Sequence, residues 1–411
     1  MSTPVPHPLS QLPPSRTHAG AFLPSPRADV SSLYIHVPFC FHKCHYCDFY
    51  SLVDTRDRQP AFVARLIDEL RALRPWAAPL RTIFVGGGTP SLLAVPLWEE
   101  LLACLSSTFD LSQLSEFTVE CNPETVTPGL AAALASGGVT RLSMGAQSFD
   151  RAHLKTLERW HDPDKVPEAL ETARVAGIAR ASIDLIFGIP GQSVADWERD
   201  LRTALSLELS HLSCYNLTYE PGTAMTARLS RGQVTQAPED DEVEMFRLTP
   251  ALLAASGLRR YEVSNFAAPG DECRHNLVYW RQGQWLAAGP SASGHVAGTR
   301  WKNAPRLDDY LSRNESGFAP AVDVEPPDPV RALAEVLMTG LRLSEGLGTE
   351  PILTRAEQLA PGAADRLQHT ADAARRAGLL EPETDVWRLS EPGLLVSQSV
   401  IVDFMTALDP A

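Results

Sequence analysis

Long hydrophobic runs are missing from this chain. None approaches the roughly 18 apolar residues that a membrane-spanning helix needs, which argues against a helical membrane protein. Basic residues are in short supply: Lys and Arg total 36 against 50 Asp and Glu, a formal net charge of −14. The overall field therefore repels polyanions, and nucleic acid is a poor default partner. Internal repeats are absent beyond a β-α alternation, as are low-complexity tracts beyond the N-terminal tail. Cysteine is scarce too. Seven in 411 residues, an odd number with no secretory signal, do not make a disulfide framework, and three of them crowd into eight residues. That usage points to a metal site in a reducing, cytoplasmic compartment. What is present is ordinary for a globular protein: 44% hydrophobic and 21% charged residues, enough for one large domain plus a smaller one, or two to three of average size.

Residues 1–30 hold seven prolines and no acid before Asp29, with little apolar content to offset ordering entropy, so a disordered tail is expected there. From Leu33 to about Tyr219 strand-like and helix-like runs alternate. Strands are expected at Leu33–Val37, Thr82–Val85, Phe117–Glu120, Arg141–Met144, Ser182–Phe187 and His211–Leu217. Helical periods such as Phe62-Leu66-Leu70-Leu73 lie between them. Six β-α units imply a parallel sheet, doubly wound or curled into a partial barrel, over residues 31–220. The stretch 221–324 does not repeat the unit and reads as an extension, with an acidic helix from Glu239 to about Ala255. Residues 325–411 read as a helical domain with a small β-wing at Trp387–Ser390. Its 14 acidic against 7 basic residues make DNA binding through that wing a poor reading.

The sharpest signal is Cys40-Phe41-His42-Lys43-Cys44-His45-Tyr46-Cys47, a C-x3-C-x2-C loop after the first strand. Three thiolates at these spacings can grip three irons of a 4Fe-4S cube and leave the fourth open. A zinc site completed by His42 or His45, or a cluster completed by a distant cysteine, remains an alternative at this point.

This loop, preceded by Tyr34-Ile35-His36-Val37-Pro38-Phe39, resembles the cluster loop of radical S-adenosylmethionine enzymes. The downstream motifs are similar to the branch holding oxygen-independent coproporphyrinogen III oxidases and HemW-type haem chaperones. The resemblance runs from about Leu33 to the C-terminus. It implies an incomplete parallel (β/α)6 barrel with a C-terminal helical, winged-helix-like domain, a 4Fe-4S cluster on Cys40, Cys44 and Cys47, and S-adenosylmethionine on the open iron. Ligands of parallel α/β folds collect at the C-terminal rim of the sheet, where the polar motif residues fall. Gly86-Gly87-Gly88-Thr89-Pro90 follows the second strand, and glycines there would let backbone approach a ligand. Glu120 ends the third strand with a carboxylate suited to ribose hydroxyls or an amino group, and Gln147 ends the fourth. Asp184 lies in an apolar fifth strand, where a carboxylate is costly unless bonded. Each of these also admits a plain capping or turn role. The family implies that Arg159, twelve residues after Gln147, holds the cofactor carboxylate, a bidentate task for a guanidinium. Glu158, where the family usually has Gly, could compete as its ion partner. Tyr34 and Tyr46 would flank the cluster and the adenine.

Two functions stay open within this resemblance. One is a radical enzyme that oxidatively decarboxylates a porphyrinogen propionate. The other is a chaperone that binds haem and delivers it to haemoproteins. The oxidases carry a further cysteine two residues after the third, and position 49 here is Phe49. His275-Asn276-Leu277-Val278-Tyr279-Trp280 matches the H-N-x-x-Y-W motif associated with haem handling in the chaperones. Physically, an imidazole can ligate haem iron and the aromatic pair offers flat surface to a macrocycle. A plain reading has His275 and Asn276 bonding loop backbone, and His36, His42 and His295 are further candidate ligands. Ala287–Ser293 departs from the Gly-Pro-Gly-Ala-His-Ser-like run of the family, which puts that loop's role in doubt. Cys104, Cys121 and Cys214 read as small core residues. A third reading, an RNA-modifying radical enzyme, is disfavoured by the acidic balance. The expected partners are haem and acceptor haemoproteins, with docking on a membrane complex left open.

Overall fold

All six strands expected from the β-α alternation are present in the computed structural model, which describes residues 17–312 and 316–408. They are β1 (Val30–Val37), β2 (Ala77–Gly87), β3 (Glu116–Cys121), β4 (Arg141–Gln147), β5 (Arg180–Phe187) and β6 (His211–Asn216). The chain divides into two units, neither continuous in sequence. One comprises residues up to 192 with 217–237 and 284–325; the other comprises 193–216, 238–283 and 326 onward.

In the first unit β5, β4, β3, β2 and β1 lie side by side in that order, all parallel, and Leu286–Ala288 adds to the free edge of β1, also in parallel. Such strands are covered on both faces, which is why β3 reads Glu-Phe-Thr-Val-Glu-Cys with scarcely an exposed position. The helix Gln59–Leu73 packs through Phe62, Leu66, Leu70 and Leu73, as its periodicity demands. Thr127 caps the helix Pro128–Ser136 through the Leu130 amide, and Asp150 caps Arg151–Thr156 through two amides.

The expected tail is only partly one. Residues 1–16 lie outside the described residues, whereas 17–29 are held by tertiary partners. The Ala321 amide donates to the Thr17 carbonyl at 2.7 Å, the Trp76 indole donates to Pro24 O at 2.8 Å, and the His18 ring stacks on Phe318. Local composition could not reveal those partners, which lie about 50 and 300 residues downstream.

The second unit pairs β6 antiparallel with Asn265–Ala267, which in turn pairs with Arg259–Arg260. Trp197, fully buried on the helix Val194–Leu205, donates to the Thr249 hydroxyl at 3.0 Å on the helix Glu239–Ala255. Leu333, Leu337, Leu367, Trp387, Ile401 and Phe404 form the core of its C-terminal helices. The expected wing is a short antiparallel pair, Leu347–Gly348 with Val386–Trp387. Of the stretch 221–324, expected as one extension, residues 221–237 and 284–324 lie in the first unit and 238–283 in the second. The reason is hydrogen bonding: 265–267 complete a ladder with β6, while 286–288 complete one with β1. Among the described residues no helix is long and apolar enough to cross a membrane.

Candidate functional site

β1 hands the chain to the cysteine loop through Pro38 and the buried Phe39. Four backbone hydrogen bonds hold the loop: Cys40 N to Leu52 O at 2.9 Å, Leu52 N to Pro38 O at 2.8 Å, His45 N to Leu157 O at 3.2 Å and Met225 N to His45 O at 2.8 Å. Cys40, Cys44 and Cys47 are all free and half-buried. Burial pushes the Cys47 thiol up to about 11 and raises that of Cys40 in the same sense. Bound iron would reverse this, since a coordinated thiol is deprotonated outright. Among the described residues no three His, Cys, Asp or Glu side chains converge as a single metal ion requires. Three cysteines on one loop can each give a thiolate to one iron of a cube and leave the fourth iron open. His45 Nδ1 lies 3.1 Å from an Arg228 guanidinium nitrogen, and the rings of His42 and His45 each face Glu158 at 3.8 Å. The donor set therefore fits a 4Fe-4S cluster, which would supply one electron to a bound S-adenosylmethionine.

Glu158, expected to compete for Arg159, thus turns to the histidines instead. Arg159 donates to Gly145 O at 2.7 Å and reaches the Cys44 sulfur at 3.6 Å, bridging the end of β4 to the cysteine loop. Its buried Nε has no partner, so one face of the guanidinium is left to a ligand. Gln147 stands beside it in left-handed backbone at φ 64°, where the β4–β5 register slips. Across the rim, Glu120 accepts the Gly87 amide at 3.0 Å. Burial, and after it the charge of Asp184, pushes the Glu120 carboxyl to about 7, with the Gly87 amide pulling the other way. Two neighbouring carboxyls with an arginine nearby suit a zwitterion carrying an ammonium and a carboxylate.

Gly87 and Gly88 also have a packing role. A Cβ on Gly87 (φ +110°) would meet the His36 ring at 2.5 Å, and one on Gly88 would meet Phe39 O at 2.6 Å. Their small size lets the β2 turn pack against β1; the space they save is filled by protein. Thr89 does face the loop, with its hydroxyl 3.6 Å from the Cys40 sulfur. Tyr34 donates to His36 Nδ1 at 3.0 Å while His36 Nε2 donates to Tyr50 O at 2.8 Å. His36 is therefore held as a neutral ring, its pKa lowered to about 4 chiefly by burial, and is not a free haem ligand. Tyr46 packs on Leu157, Ile186, Ile189, Leu217 and Met225. His295 lies on the strand Ser293–Val296, its ring edge-on to Trp285. Cys104, Cys121 and Cys214 are buried, as expected of core residues, and so is Cys273.

In the second unit the H-N-x-x-Y-W motif forms a helix, Arg274–Trp280, rather than a loop. Its register puts His275 and Tyr279 on one face, one turn apart, with His275 Nε2 2.8 Å from the Tyr279 hydroxyl. His275 is fully buried, and desolvation lowers its pKa to about 3. Asn276, Tyr279 and Trp280 line a pocket of about 400 Å³ with Tyr215, Glu262–Asn265 and Thr339. His275 is not in its wall. The aromatic lining and the volume suit a flat organic ligand. Asn265 Oδ1, a buried acceptor without a partner, is also in the wall.

Sequence reasoning missed several of these positions. Gly145 leaves room for two rim side chains: a Cβ there would meet Gln147 Nε2 at 2.5 Å and Arg159 Nη2 at 2.9 Å. Glu69 is a buried carboxylate that receives Gly289 N at 2.9 Å, Asn303 Nδ2 at 2.7 Å and the Tyr310 hydroxyl at 2.7 Å, tying the divergent 287–293 loop to the sheet. A signal for it existed, since Arg65 and Glu69 share the helix face of Phe62, Leu66 and Leu70. Tyr215 gave no such signal.

Residues 34–204 match the Radical SAM superfamily. The fold is that of the solved coproporphyrinogen III oxidase (HemN) from Escherichia coli, with a TM-score of 0.79 at 22% identity over 93% of this chain and 92% of that one. The class is thus a radical S-adenosylmethionine protein, with an incomplete parallel β/α barrel and a C-terminal domain of helices and a small sheet. The chain is 36% identical to the haem chaperone HemW of Mycobacterium tuberculosis over 376 residues, 90% of this chain and 93% of that protein. It is 34% identical to HemW of Escherichia coli over 91% of this chain and 98% of that protein. The chain belongs to the HemW family.

Proposed function

We propose that this protein is a haem chaperone that binds haem and delivers it to haemoproteins, and that it carries a 4Fe-4S cluster on Cys40, Cys44 and Cys47 with S-adenosylmethionine beside it. Glu120, Gln147, Arg159 and Asp184 would bind that cofactor, with Tyr34, Tyr46, Gly87, Gly88 and Thr89 shaping its surroundings. Haem would occupy the pocket of Asn276, Tyr279 and Trp280, with His275 behind it. The observation that carries the haem reading is this pocket, walled by the aromatic half of the H-N-x-x-Y-W motif. Phe49 in place of a further loop cysteine supports the same reading over the oxidase. Delivery in the cytoplasm, without nucleic acid, completes it.

The test is anaerobic. Cluster-loaded protein receives S-adenosylmethionine and a reductant, then coproporphyrinogen III and haem in parallel. Haem binding and transfer to an acceptor apoprotein, with no decarboxylated product, is the expected result. Robust formation of protoporphyrinogen would replace the chaperone by the oxidase.

A further inference from the structure

The haem reading of the second-unit pocket leaves the iron ligand unassigned, and histidine is the usual choice. Here it is badly placed. His275 has no exposed surface, stands outside the pocket wall, and has Nε2 committed to Tyr279. A ligating imidazole must turn a free nitrogen toward the metal. Tyr279 is half-buried and lines the pocket, and its hydroxyl lies 2.8 Å from the His275 ring.

Resting on the haem reading of this pocket, we propose that Tyr279 supplies the protein ligand to ferric haem iron as a phenolate, with His275 as the positioning residue hydrogen-bonded to it. The phenol O–H bond breaks, the proton passes to solvent, an iron–oxygen bond forms, and an axial water leaves. No electron moves. Phenolate is an established haem ligand type. The buried imidazole stays neutral, and with its proton on Nε2 it donates to the iron-bound phenolate beside it. Hydrogen bonding from this outer residue would also fix the orientation of the phenol ring. Tyr215 is the other phenol in the wall, so the assignment discriminates between two tyrosines. A phenolate prefers ferric over ferrous iron, so reduction of the haem would loosen the grip and favour release.

The experiment titrates the cluster-loaded, full-length protein with ferric haem and records absorption and resonance Raman spectra. Wild type should show a phenolate-to-iron charge-transfer band and phenolate ring modes. Tyr279→Phe should abolish both and weaken binding at least tenfold, whereas Tyr215→Phe should keep both. His275→Gln should keep the ring modes but shift the iron–phenolate stretch. An iron spectrum unchanged in Tyr279→Phe would overturn the ligand assignment, and an unshifted stretch in His275→Gln would overturn the role of His275. The pocket itself is tested apart from the ligand by Asn276→Trp, which should block haem uptake. Unchanged affinity in that variant would place haem elsewhere and defeat the haem reading of this pocket.

Discussion

Replacing Glu120 with Gln isolates the electrostatics of the cofactor rim. The carboxyl is half-buried at the end of β3, and burial with the Asp184 charge moves it from the ordinary 4.5 to about 7. At 1.36 kcal/mol per pH unit, that displacement amounts to about 3 kcal/mol against the ionised form. Because the folded value lies above the unfolded one, the stabilising contribution is full below about pH 4.5 and is lost as pH rises through about 7. A cationic ligand reverses the preference by favouring the carboxylate. S-adenosylmethionine should therefore bind with uptake of an ionised Glu120, which is about 10% of molecules at pH 6 and about 90% at pH 8. Affinity should climb roughly tenfold over that interval in wild type, with a proton released on binding at pH 6. In Glu120→Gln it should be weaker throughout and nearly flat with pH. Gln retains an oxygen for the Gly87 amide, so the rim keeps its shape. The assay is anaerobic calorimetry of cluster-loaded protein in buffers of different ionisation heat. A wild-type slope that persists unchanged in the variant would refute the reasoning.

Gly145→Ala should drive Gln147 and Arg159 apart and cut S-adenosylmethionine affinity by at least about tenfold while the cluster stays bound, as read from iron content and binding isotherms together. Cys44→Ala should abolish the brown cluster spectrum; a full iron count in that variant would mean that the loop has another ligand set. Glu69→Ala strands three donors in the core and should destabilise the first unit by about 3–5 kcal/mol, measured by urea denaturation of the cluster-free chain.

The parts of the site that could be read from the linear chain are those in which chemistry and spacing are local. Cys40, Cys44 and Cys47 sit on one loop, Glu120 and Gln147 end two strands, and each strand announced itself by its apolar, β-branched content. What escaped the reading depends on groups distant in sequence. Gly145 looks like any strand glycine until Arg159 is seen packed against it. Gly87 and Gly88 give no sign of packing until His36 and Phe39 are seen against them. His275 looks like an exposed ligand until the helix of its motif turns it inward.

The sequence by itself determined the class of protein: the β-α alternation specifies a parallel sheet, whose rim collects ligands, and the C-x3-C-x2-C loop specifies the metal chemistry placed there. Both rest on local periodicity and local donor spacing. Only the tertiary structure decided how the segments 193–216, 238–283 and 284–325 are shared between two units, which way Glu158 faces, and which member of the H-N-x-x-Y-W motif meets the pocket. These turn on ladder partners, burial and helix register, which are properties of chain segments brought together from far apart.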